Sequence, residues 1–216
     1  MSVASAAADF LLDEGLAQLG LPLDRASRQR LLRYLALMQR WNRVYNLTAI
    51  RDPDRMVSHH ILDSLSIVPY LSGPTLVDVG TGAGLPGIPI AVARQDWTVT
   101  LLDSSHKKGA FLRQAVLELA LSNVELVTSR AEDWRPAKGF DTAVSRAFSD
   151  LASFVQAARH MVVPGGMLAA MKGSYPDEEI AQLPGDIRVE AVVAVRVPLL
   201  SGARHLVLLR APEARQ

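Results

Sequence analysis

The chain has 216 residues, 49% of them apolar and 21% charged, with a formal net charge of +1. That balance suits one globular domain with a substantial core and excludes a disordered or low-complexity chain. Cysteine is absent, which removes disulfides and any thiol nucleophile. No apolar run reaches membrane-spanning length and the first basic residue is Arg25, so neither a membrane span nor a secretory signal is read and a cytoplasmic protein is expected.

Residues 6–19 predict a short amphipathic helix, ended by Gly20 with Pro22 blocking continuation. Asp24 or Ser27 caps a longer helix to about Tyr45, in which Leu31, Leu35, Met38, Trp41 and Tyr45 recur at three- and four-residue steps. Arg25, Arg28, Arg30, Arg33, Arg40 and Arg43 follow one another with no acidic residue between them. The run reads equally as a footprint for phosphates and as the solvated face of the helix. Trp41 and Tyr45 read as core more readily than as base platforms, and Asn46 is open between a helix C-cap and a substrate contact. Asp52-Pro53 opens a third helix, to about Tyr70. Its His59 and His60 fit packing or hydrogen bonding better than catalysis or metal binding, and Asp63 fits a helix end or an arginine partner. Ser72-Gly-Pro74 marks a boundary. It divides the chain into an N-terminal helical segment, 1–73, packed on a domain, 74–216, the two expected to form one compact unit.

From Thr75 strands and helices alternate. Strands are predicted at 76–79, 98–103, 124–128, 142–145, 167–171, 188–197 and 205–209, and helices at 88–94, 105–121, 150–161 and 176–183. Alternation of this kind gives a mainly parallel sheet with right-handed crossovers. Residues 198–203 are too few for a crossover helix, so the last two strands form an antiparallel hairpin. The expected fold is α/β and Rossmann-like: a seven-stranded, mostly parallel sheet with its last strand antiparallel, plus N-terminal helices.

Leu76-Val-Asp-Val-Gly80-Thr-Gly82-Ala-Gly84-Leu-Pro-Gly87 runs a strand into a turn with four glycines and then into a helix. Such a turn lets the backbone lie against a ligand at the carboxyl end of a sheet. Pro86 is expected in the first turn of the helix, where its missing N–H costs nothing. Gly82-x-Gly84-x-x-Gly87 matches the dinucleotide fingerprint, whereas Asp78-x-Gly80-x-Gly82-x-Gly84 resembles motif I of the S-adenosylmethionine-dependent methyltransferases. Asp103 ends the next strand, where a carboxylate serves the ribose of NAD or of S-adenosylmethionine equally. Ala131-Glu132-Asp133 follows the third strand, where methyltransferases of this class place an adenine-contacting segment. S-adenosylmethionine is favoured over NAD and over a turn without a ligand.

Methylation at pyrimidine C5 commonly needs a cysteine, and none exists. Adenine N6 methylation usually uses an Asn/Asp-Pro-Pro-aromatic turn after the fourth strand, where this chain reads Val144-Ser145-Arg146-Ala147-Phe148. An acceptor already nucleophilic, with no proton to lose, suits a site without an evident base, and guanine N7 is one. At this point the chain resembles the RsmG (GidB) family of bacterial 16S rRNA guanine-N7 methyltransferases. The matching stretches are Trp41-Asn-Arg-Val-Tyr-Asn46-Leu-Thr48, His59-His60-Ile-Leu-Asp63-Ser-Leu65, the glycine turn through Pro89, Ser129-Arg130-Ala131-Glu132, Ser145-Arg146-Ala147, Met171-Lys172-Gly173 and Arg204-His205-Leu206.

The resemblance implies S-adenosyl-L-methionine as cofactor, 16S rRNA in the small ribosomal subunit as partner, a monomer, and neither metal nor membrane. It implies that Gly80 and Leu85, in the turn with Gly82 and Gly84, border the methionine and ribose, that Asp103 holds the ribose, and that Ala131 and Glu132 hold the adenine. Arg146 is expected beside the cofactor at the mouth of the site. Arg130, Arg146, Lys172 and Arg204 are expected to hold the guanosine and its phosphates. A small-molecule methyltransferase, an NAD oxidoreductase and a ribosome-binding factor without catalysis are the alternatives. Lys107 and Lys108 read equally as phosphate contacts and as a solvated pair.

Overall fold

In β1 (Thr75–Val79) and β2 (Thr98–Asp103) nearly every residue is buried. Strands of this kind are covered on both faces, the usual condition of a parallel sheet. The computed structural model describes residues 6–146 and 148–213; Ala147 of the Ser145-Arg146-Ala147 stretch lies outside the described residues. The remaining strands are β3 (Val124–Thr128), β4 (Phe140–Ser145), β5 (Val162–Lys172), β6 (Arg188–Ala194) and β7 (His205–Arg210). They form one sheet in the order β3-β2-β1-β4-β5-β7-β6. β7 runs antiparallel to both neighbours, which sets His205 opposite Lys172 on one side and Ala194 on the other.

Alternate residues of each strand feed two cores. Leu76, Leu101, Val144, Ala169 and Leu206 pack under α1 (Ala6–Gln18), α2 (Arg25–Tyr45), α5 (Gly87–Ala93) and α6 (His106–Glu118). Val77, Leu102, Ala143, Leu168 and Val207 pack under α7 (Leu151–Ala158). Leu12, Leu31, Leu35 and Met38 of the first two helices belong to the same buried cluster as the sheet residues they cover. Asp24 caps α2 by accepting from the Ser27 N–H at 2.7 Å.

The third predicted helix is broken into pieces. α3 (Pro53–Met56) leads into a π-helical turn, Val57–Leu62, then α4 (Asp63–Leu65) and a short 3-10 turn, Val68–Tyr70. β5 begins at Val162, five residues before the expected strand, because its first part continues the ladder past an irregularity opposite Phe140 and Thr142. β6 stops at Ala194, and Val195 and Val197 turn inward to the first core. Pro86 occupies the capping position of α5, not its first turn; Pro89 sits in that turn.

Candidate active site

β1 ends at Val79, and the chain turns at Gly80 with φ of +70°. The Gly80 and Thr81 N–H groups both donate to the Leu102 carbonyl, at 2.9 and 3.1 Å, which stitches the turn to β2. A Cβ on Gly80 would meet only Phe148, at 3.9 Å, so the backbone here faces open space. That space is a cavity of about 350 Å³ lined by Gly80, Asp103, Arg130, Ala131, Glu132 and Phe148. Asp103 accepts from the Gly82 N–H at 2.9 Å and from the Ser105 N–H at 2.9 Å, with Lys108 Nζ at 3.5 Å. Lys108 is therefore engaged at the cavity, while Lys107 lies over the Tyr45 ring.

Gly82, Gly84 and Leu85 do not line this cavity: they build the turn beneath it. Leu85 is buried, and a Cβ on Gly84 would lie 2.5 Å from Ile88 Cδ1. Deeper still, Asp78 accepts from the Thr81 hydroxyl and, at 2.7 Å, from the Gly87 N–H. Burial pushes the Asp78 carboxyl up to about 7 against these hydrogen bonds and Arg146. Gly87 has no room for a side chain, since a Cβ would fall 2.2 Å from Leu101 Cδ2. From α2, the buried Tyr34 hydroxyl donates to the Ala83 carbonyl, so the helical layer grips the glycine turn directly.

A second cavity of about 350 Å³ is lined by His59, His60, Asp63, Arg146, Lys172 and Arg204. The π-helical turn shapes it. The Asp63 N–H bonds the Ser58 and His60 carbonyls. In an α-helix it would take the His59 carbonyl. That carbonyl accepts instead from Arg146 Nη1 at 3.1 Å. The buried Asp63 carboxylate then receives Arg204 Nε at 3.1 Å on one oxygen and Arg146 Nη1 at 3.4 Å on the other. Lys172 is also engaged: it pairs with Glu179 at 2.7 Å and approaches the Ser149 carbonyl at 3.2 Å. Three of the four predicted cations thus meet here, and Arg130 stands at the first cavity instead.

Burial, with Arg146 nearby, lowers His60 to about 4, so its imidazole is neutral. Its Nε2 lies 2.9 Å from the Thr48 hydroxyl, and Thr48 is fixed by two 2.9 Å hydrogen bonds with the Asn42 side chain. Asn46 is the left-handed cap of α2, with φ of 48°. Trp41 packs edge-on to Phe111 with ring centroids 5.6 Å apart, and Tyr45 is more exposed. Within the arginine run, Arg28 pairs with Asp13 and Arg40 with Glu118, while Arg33 and Arg43 face solvent. Phe148 was missed by sequence reasoning; its only signal is an aromatic placed after the Ser-Arg-Ala end of the fourth strand. Among the described residues no group of three or more His, Asp or Glu is arranged to hold a metal ion, and no helix is long and apolar enough to cross a membrane.

The first cavity fits S-adenosylmethionine. Its volume is that of a cofactor site, Gly80 leaves the backbone bare, and Asp103 and Glu132 offer carboxylates to hydroxyl and amine donors. This sheet order, with the two cavities at the strands' carboxyl ends, is that of a class I S-adenosylmethionine-dependent methyltransferase. A solved S-adenosylmethionine-dependent methyltransferase from Aquifex aeolicus has the same fold, with a TM-score of 0.58 over 76% of this chain and 96% of its own, at 23% identity. Residues 27–207 match the family model described as GidB, rRNA small subunit methyltransferase G, and the chain belongs to that family. Ribosomal RNA small subunit methyltransferase G of Laribacter hongkongensis is 53% identical over 198 residues, covering 92% of this chain and 96% of the relative. The enzyme of the same name from Chromobacterium violaceum is 56% identical over 197 residues, covering 91% and 94%. Family membership decides the cofactor in favour of S-adenosylmethionine over NAD.

Proposed function

We propose that the enzyme methylates N7 of a single guanine in the 16S rRNA of the small ribosomal subunit. The observation that carries this reading is that the one carboxylate among the described residues lining the acceptor cavity is tied up in ion pairs. Asp63 is committed to two arginines, His59 Nδ1 is turned to the Arg55 carbonyl at 3.0 Å and the Ser58 hydroxyl at 2.9 Å, and His60 Nε2 is held by the Thr48 hydroxyl. A carboxylate paired in this way is poorly placed to take a proton from an acceptor. Guanine N7, whose lone pair lies in the ring plane, needs positioning alone. The printed names of the relatives, which specify ribosomal RNA of the small subunit, support the substrate class.

When bound, S-adenosylmethionine supplies an electrophilic methyl group. Gly80, Asp103, Ala131 and Glu132 would hold the nucleoside part, with Phe148 lining the same cavity. Arg146, with one end on the His59 carbonyl and Asp63, stands at the acceptor cavity and orients the base. The common bidentate arginine grip on guanine O6 and N7 is ruled out during reaction, because N7 must face the methyl group. One cation therefore contacts O6 alone, and Arg204 with the outer arginines holds flanking phosphates. Arg130, at the cofactor cavity, serves the neighbouring phosphate. In an RNA duplex the N7 edge lies in the deep, narrow major groove, so the target guanine sits in a loop or is unstacked into the cavity. Segments 1–73 and 74–216 work as one unit, and the enzyme acts as a cytoplasmic monomer on the assembled subunit. Replacing Arg146 or Arg204 with Ala should abolish transfer to small subunits while S-adenosylhomocysteine still binds; full activity in both variants would overturn the assignment.

A further inference from the structure

The acceptor cavity presents an electrostatic problem. When guanine N7 takes the methyl group, a new N–C bond forms from the N7 lone pair and the S–C bond breaks with its electrons going to sulfur. No proton leaves, so the positive charge once on the sulfonium ends on the guanine imidazole ring. This cation arrives beside Arg146 and Arg204, two guanidiniums that line the same cavity. Lys172 adds little to the repulsion because Glu179 neutralises it at 2.7 Å. His60 adds none, being neutral.

Asp63 is the only carboxylate among the described residues lining this cavity, and it sits between the two arginines, 3.1 Å from Arg204 Nε and 3.4 Å from Arg146 Nη1. We propose that Asp63 is the charge-compensating and positioning residue of the acceptor site, whose carboxylate makes the cavity tolerate a methylated, cationic guanine. The proposal rests on the guanine-N7 reading. The π-helical turn serves the same end, because it carries Asp63 to the arginines and frees the His59 carbonyl for Arg146. A plain structural ion pair would have the same geometry, but its loss would not distinguish a neutral base from a cationic one.

The Asp63→Asn variant separates the two. Removing one unit of negative charge from the lining of the cavity that receives the base, in a medium of intermediate polarity, should lower kcat by about 10- to 100-fold. KM for small subunits should stay level or fall, since the cavity becomes more attractive to phosphates. Without any turnover, in the presence of S-adenosylhomocysteine, the wild type and Asp63→Asn are compared for binding to small subunits carrying or lacking the N7 methyl group. The variant should lose at least about tenfold in its preference for the methylated over the unmethylated subunit, the binding counterpart of the kcat loss. An unchanged preference, or a raised KM at full kcat, would overturn the proposal. Should Asp63→Asn fail to bind S-adenosylhomocysteine, Asp63→Glu decides: it keeps the charge and should keep the wild-type preference, and a lost preference there would overturn the proposal. Failure of the wild type to make N7-methylguanine in the same subunits would instead overturn the reading on which it rests.

Discussion

Tyr34→Phe removes one oxygen from the contact between the helical layer and the glycine turn. Tyr34 is fully buried, its ring lies 6.3 Å from that of Phe111, and its hydroxyl donates at 2.5 Å to the Ala83 carbonyl. Burial holds the phenol well above its ordinary pKa, so it remains a donor at any working pH. Phenylalanine keeps the ring packing and leaves a buried carbonyl without its partner, a loss of about 1–3 kcal/mol. For a chain of 216 residues this corresponds to a fall in Tm of about 2–7 °C. Because Ala83 lies in the turn that carries Gly80 and Gly82, affinity for S-adenosylhomocysteine should weaken with it. Thermal unfolding with and without S-adenosylhomocysteine, together with calorimetric titration, reads both quantities. A Tm within about 1 °C of wild type and an unchanged affinity would refute the claim that this hydrogen bond joins the two layers.

Gly87→Ala drives a methyl group into Leu101 Cδ2 at 2.2 Å and Asp78 Oδ2 at 2.8 Å; it should cost about 1–3 kcal/mol in a denaturant titration, with loss of cofactor affinity. His60 binds its proton near pH 4 in the folded state and near 6.5 when unfolded. The unfolded chain therefore holds more protons between these values, and wild type should lose up to about 3 kcal/mol of stability relative to His60→Gln as the pH falls from 6.5 to 4. Parallel curves for the two proteins would contradict this. Arg30 and Arg33, if they neutralise phosphates, should each contribute about 0.7–0.9 to the log–log salt dependence of RNA binding. Arg28 and Arg40, tied to Asp13 and Glu118, should contribute less. An unchanged slope in the Arg30→Ala, Arg33→Ala double variant assigns that face to solvent.

Element order was legible because parallel strands buried on both faces must be written as apolar runs, as Thr98–Asp103 is, and because 198–203 is too short to cross the sheet. That Gly80, Asp103 and Glu132 share one cavity was legible for a similar reason: they sit at or just beyond the carboxyl ends of strands, whose positions the sheet fixes. The make-up of the second cavity was not. Asp63 meets Arg146 across 83 residues and Arg204 across 141, and no local pattern encodes that meeting. The π-helical turn inserts one residue into a helix without disturbing its apolar pattern enough to be read. Lys172 reads as a free cation until Glu179 is brought to it from the chain beyond β5. Pairing also divided the arginine run, since Asp13 comes from a different helix and Glu118 from the far end of α6.

The most direct measurement takes small ribosomal subunits from cells lacking this gene and incubates them with the purified protein and methyl-labelled S-adenosylmethionine. The RNA is digested and its nucleosides are identified. Label is expected in N7-methylguanosine at a single position. Label in another nucleoside, or none in subunits or naked 16S rRNA while cofactor binding is intact, would contradict the guanine-N7 reading.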